Sequence, residues 1–162
     1  MKQNHGSWKK EMDVEEVTSR VIQHAMALTT AGICKGDRSV QLHTQDPDYS
    51  KATRKLLTRK GFKVVGIHGA EEFVEIDEET IVISPFTAAP IKQIIADLGC
   101  PVLILCTGPG TFNSKAKPVA DPESPRTKQM WLDYNVHSIS THARDSDIRY
   151  TLKGLQVYSR HR

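Results

Sequence analysis

The chain has 162 residues, of which 38% are hydrophobic and 25% charged. That is enough apolar matter for one domain with a buried core, and too much for a disordered chain. Apolar runs stop at four or five residues and the first twenty residues are rich in Lys, Asp and Glu, which argues against a membrane span and a signal-peptide core and for a cytoplasmic or nuclear protein. Three cysteines without a CxxC pair argue against a disulfide framework and a zinc site, and a net charge of +3 selects no class of partner.

Residues 1–12 are polar and aperiodic, and are expected to form a flexible arm ahead of a single domain over 13–162. From Asp13 a helix is expected. Val14, Val17, Val21, Ala25 and Leu28 recur at spacings of three and four and make one apolar stripe. Asp13 and Glu16 resemble a capping box, and Thr29, Thr30 and Gly32 are expected to end the helix. Val40–Thr44 reads as a strand. "TQDPDYS" (44–50) turns the corner, and Ser50 is placed to cap a helix through Lys60 with Gly61 just beyond it.

Phe62–Ile67 is the next expected strand, followed by an acidic segment from Glu71 to Glu79. Thr80–Ser84 and Val102–Cys106 are apolar at consecutive positions, the pattern of strands covered on both faces. Between them Ile91, Ile94, Ile95 and Leu98 fall at helical spacing. Residues 107–122 form the longest irregular stretch. A helix is expected over about 123–134, with Met130 and Trp131 facing the core. Val136–Ser140 reads as a strand, 142–147 as a polar loop, and 155–158 as the closing strand. This order predicts an α/β fold: a three-layer, Rossmann-like, mostly parallel sheet with helices on both faces.

Five stretches in this order carry a resemblance: "QHAMALT" (23–29), "TQDPDYS" (44–50), "ETIVISPFTAAPIKQIIADL" (79–98), "DPESPRTKQMWLDY" (121–134) and "LQVYSR" (155–160). Together they resemble the sensitivity-to-red-light-reduced (SRR-like) domain family in its fungal form. The resemblance implies a Rossmann-like sheet, a link to circadian and light-signalling regulation in plants, and no settled catalytic activity. Members of that family usually have a strand and a "GLGS"-like turn before the first core helix. Here the region reads "MKQNHGSWKKEMDVEEV", so the first strand is expected to be missing. An edge exposed in this way invites a second chain, and a homodimer is one expected assembly.

In doubly wound folds ligands sit beyond the carboxyl ends of the strands. That rule gathers the candidate binding residues: Asp46 and Tyr49 after the first strand, Ser84 and Phe86 after the second apolar strand, Thr107 and Gly108 after the third. Asp46 stands about where such folds use an acid to hold ribose hydroxyls; equally, it is suited to an Asx-turn that starts the helix. Tyr49 is placed to stack on a flat ligand or to pack. Gly108 would let backbone N–H groups approach an anion. Cys106 reads either as a nucleophile with an unidentified His or as a buried structural thiol, with the second favoured. Cys100-Pro101 matches a haem-thiolate dipeptide, but also simply opens a buried strand. Seven scattered histidines give no HxxxH or HExxH, so no metal site is expected.

Lys51, Arg54, Lys55, Arg59 and Lys60 crowd one helix, and Lys115, Lys117, Arg126 and Lys128 one loop region. Solvated faces are the favoured reading and an anionic partner the other; without interleaved aromatics, a specific nucleic-acid reader is not expected. Two functions are open: a regulatory domain that binds a small molecule or protein partner, and a small-molecule enzyme with a nucleotide-type cofactor, resembling S-adenosylmethionine methyltransferases.

Overall fold

The computed structural model describes residues 6–36, 39–66, 73–85, 89–108, 121–140 and 146–161. Helix α1 spans Gly6–Cys34, past both expected ends and into the segment read as an arm. Strand β1 (Leu42–Thr44) and strand β2 (Phe62–Val64) flank helix α2 (Lys51–Arg59). Ser50 caps α2 as its sequence promised: its Oγ accepts from the Thr53 amide at 3.1 Å. The helix ends at Gly61, whose φ of 91° is the left-handed conformation that suits glycine.

A 3-10 turn, Phe73–Glu75, leads to strand β3 (Ile81–Ser84), helix α3 (Ile91–Leu98) and strand β4 (Leu103–Thr107). Helix α4 (Pro125–Trp131), strand β5 (Tyr134–Ser138), helix α5 (Ser146–Leu152) and strand β6 (Leu155–Arg160) complete the order. The start of α4 is doubly fixed. Ser124 Oγ accepts from the Thr127 amide, Thr127 Oγ1 accepts from the Ser124 amide, and Pro125 occupies the first turn. Helix α5 was not anticipated: its start falls at the end of a stretch read as loop.

The mostly parallel Rossmann-like sheet is not what forms. The strands make two sheets: a parallel pair β1–β2, and a mixed four-stranded sheet in the order β3-β4-β6-β5. β3 and β4 are parallel, but β6 runs antiparallel to both β4 and β5. The physical reason is that consecutive apolar residues report burial on both faces, not strand direction. The final strand enters between β4 and β5 against their direction, and side-chain periodicity is blind to that choice. Among the described residues no strand joins the two sheets.

Each sheet has its own core. In the larger one, Ile91 and Ile95 of α3 and Met130 of α4 cover Ile104, Cys106, Tyr134 and Tyr158. Trp131 stacks on Tyr158 with ring centroids 4.2 Å apart and meets Tyr134 edge-on. Tyr134 donates its hydroxyl to the Pro101 carbonyl at 2.7 Å, so its burial leaves no orphaned polar atom. In the smaller, Tyr49, Leu57 and Phe62 pack with Ala27, Leu42 and Val64. Val21, Ala25 and Leu28 of the α1 stripe do not supply this contact. Val21 is 61% and Leu28 37% exposed; α1 instead presents Arg20, His24 and Ala27 to the β1–β2 unit.

Candidate functional site

The strand register sorts the larger sheet into cross-strand rows. Ser84, Cys106, Gln156 and Ser138 stand opposite one another in succession across the four strands. They share a face with the neighbouring row Val82, Ile104, Tyr158 and Val136, whose Ile104 and Tyr158 belong to the core under α3 and α4. The sheet therefore passes from apolar to polar toward the carboxyl ends of β3 and β4.

That end contains polar atoms the fold does not satisfy. Ser84 Oγ is enclosed and finds no hydrogen-bond partner among the described residues, and the same holds for Asp121 Oδ1. The other oxygen of Asp121 accepts from the Lys92 amide at 2.7 Å, so a carboxylate from a distant part of the chain caps the first turn of α3. Cys106, opposite Ser84 in the register, is 3% exposed. Burial pushes its thiol up to about 11, with Lys92 pulling the other way. At neutral pH it is a protonated, enclosed thiol rather than a poised nucleophile.

Thr107, half-buried, lies one residue beyond Cys106 at the end of β4. Gly108 donates its N–H to the Gly154 carbonyl at 3.1 Å. A Cβ at Gly108 would come within 2.5 Å of Gln156 Oε1. The glycine is thus explained by close packing of the Gln156 side chain, which itself accepts from the Tyr158 hydroxyl at 2.6 Å. Phe86 lies outside the described residues, and so do Lys115 and Lys117.

Asp46 and Tyr49 belong to the other sheet. Asp46 Oδ1 accepts from the Asp48 amide at 2.9 Å, an Asx-turn, and its Oδ2 lies 3.7 Å from the Arg20 guanidinium. Arg20 also reaches Asp48 at 3.7 Å. Tyr49, 8% exposed, is part of the core. Its hydroxyl stands 2.7 Å from both His24 Nε2 and Thr44 Oγ1. His24 Nδ1 is 2.6 Å from the Arg20 carbonyl, which can only accept, so Nδ1 carries the hydrogen. In the neutral ring Nε2 then accepts from Tyr49, and Tyr49 accepts from Thr44. Burial raises the Tyr49 phenol above its ordinary value, against the Thr44 hydrogen bond and the nearby Arg20 and Arg54 charges. This chain of three side chains is the joint between α1 and the β1–β2 unit. Of the sequence candidates, the structure brings Ser84 and Thr107 to one end of one sheet and Asp46 and Tyr49 to the end of β1.

Sequence reasoning missed Asp121, Lys92 and Gln156. Only the "DP" before a helix marked Asp121, and nothing local says that it caps α3 rather than its own helix. Cys100-Pro101 enters β4, with the Cys100 carbonyl accepting from Arg160 at 3.1 Å. Among the described residues no group of three or more His, Cys, Asp or Glu is arranged to hold a metal ion, and no helix is long and apolar enough to cross a membrane.

Comparison with curated proteins and with solved structures finds no match. The family comparison does find one, over residues 6–158, nearly the whole chain including the "QDP" corner, the β3–α3 segment and the closing strand; the chain belongs to the SRR1 domain family.

Proposed function

We propose that this SRR1 domain is a binding module with a regulatory rather than catalytic role, and that its ligand sits at the carboxyl end of the β3–β4 pair beside the start of α3. The observation that carries this reading is the pair of enclosed, unsatisfied oxygens, Ser84 Oγ and Asp121 Oδ1. Leaving such a group buried costs about 1–3 kcal/mol unless something satisfies it. A carboxylate oxygen needs a donor, and a serine hydroxyl gives or takes one. The fitting ligand is therefore a polar small molecule with at least one hydroxyl or amine, the half-buried Lys92 being available for an acceptor on the same molecule. A binding role suits the chemistry better than catalysis, because Cys106, the thiol beside Ser84, is held protonated.

A thermal-shift screen of polar metabolites tests this. A ligand at 100 times its Kd stabilises by about 2.7 kcal/mol. Ser84→Ala and Asp121→Asn should each abolish or strongly reduce the shift of the same compound, while Asp46→Asn should not. A screen without a stabilising compound, or hits indifferent to both changes at the β3–β4 end, would overturn the assignment.

A further inference from the structure

We infer that the outward face of α2 is a docking surface for an anionic lipid membrane. Lys51, Lys55 and Arg59 follow one another at intervals of four on α2 and are all exposed. Such residues form one row, about 6 Å apart along the axis. Lys60, also exposed, extends it. Residues 50–66 contain no Asp or Glu. Among the described residues none of these four cations forms an ion pair, whereas Arg20, Arg126, Lys128 and Arg160 each have a carboxylate partner. Arg54, on the same helix, is turned inward, its Nε donating to the Tyr49 carbonyl at 3.1 Å.

Folding does not account for the row. Arg59 and Lys60 suit the negative end of the helix dipole, but Lys51 occupies the first turn, where a cation is unfavourable, and like charges four apart repel. The chain carries this cost at exposed positions where almost any polar residue would serve. Ala52 and Leu56, the latter 55% exposed, run alongside the cations, which gives the mixed cationic and apolar strip of helices that lie on a bilayer surface.

Three features favour lipid over other polyanions. The aromatics of this corner, Tyr49 and Phe62, are buried, so none is presented for base stacking. Three of the four cations are Lys, hydrated point charges suited to a diffuse surface potential rather than to bidentate recognition of carboxylate or phosphate. The outer ridge of a helix is convex, and offers no pocket for the buried anchor a protein partner would bring.

Sedimentation with vesicles tests the inference. The full chain should pellet with vesicles of equal parts phosphatidylserine and phosphatidylcholine and stay in solution with phosphatidylcholine alone. Lys51→Gln and Lys55→Gln should each lower the partition coefficient about fivefold, and the triple change with Arg59→Gln about a hundredfold. Added salt should weaken binding, Lys153→Gln should leave it unchanged, and unchanged melting of the single variants keeps them interpretable. Equal binding to both vesicle types, or equal loss in the Lys153 control, would overturn the inference. So would binding of polyuridine or polyglutamate in preference to the anionic vesicles.

Discussion

Tyr49→Phe removes one oxygen and nothing else from the joint between α1 and the β1–β2 unit. That oxygen makes two hydrogen bonds of 2.7 Å, to His24 and to Thr44. A neutral hydrogen bond contributes about 0.5–1.5 kcal/mol net, so losing both amounts to about 1–3 kcal/mol. Part is recovered: Thr44 Oγ1 already stands 3.5 Å from His24 Nε2 and can donate to it directly. The expected loss is about 1–2 kcal/mol, or roughly 3–7 °C in Tm for a chain of this size. Urea denaturation of both proteins, with m unchanged, measures it. Thr44→Val alone should cost about 0.5–1.5 kcal/mol, because Tyr49 keeps its bond to His24. In the double variant the two losses should fail to add by at least about 0.5 kcal/mol. A Tyr49→Phe protein within about 0.3 kcal/mol of the parent, or strict additivity, would refute the linked network.

Asp46→Asn should cost less than about 1 kcal/mol, since Asn keeps the Asx-turn and only a partly exposed ion pair with Arg20 is lost; Asp46→Ala, which loses the turn as well, should cost more in the same melts. Thr127→Val should cost about 1–3 kcal/mol in chemical denaturation, because Thr127 is 1% exposed and its hydroxyl satisfies the Ser124 amide. Gly108→Ala should destabilise by only about 0.5–1.5 kcal/mol, because the amide end of Gln156 can swing aside at the expense of the bond it accepts from Tyr158, and in a Gln156→Ala background the added methyl should cost little. Alkali should weaken the fold through Cys106: its thiol rises from 9.0 to about 11 on folding, so the contribution is complete below pH 9 and lost as pH climbs toward 11, about 3 kcal/mol in all. A Cys106→Ala protein should therefore show a flatter decline in stability over that interval.

What the sequence determined by itself is local. Ser50 and Gly61 bounded α2 because a side-chain oxygen and a backbone free to reach φ of 91° are needed at those two positions whatever the rest of the chain does. The apolar periods of 91–98 and the apolar run of 102–106 marked α3 and β4 for the same reason, and the five ordered stretches were sufficient to indicate the family. Tertiary structure decided what no period encodes. Strand direction depends on where β6 finds unpaired backbone, and it found it between β4 and β5, so the expected parallel sheet became a mixed one and β1–β2 a separate pair. On the described part of α1, the face that docks on the β1–β2 unit is set by hydrogen bonds from His24 and by the small Ala27, not by Val21 and Leu28 beside them. At the β3–β4 end, Ser84 and Thr107 were legible as strand-end residues. Asp121 was not, because it reaches the first turn of α3 from 29 residues away in sequence, and only the folded chain brings that carboxylate to an amide it can cap.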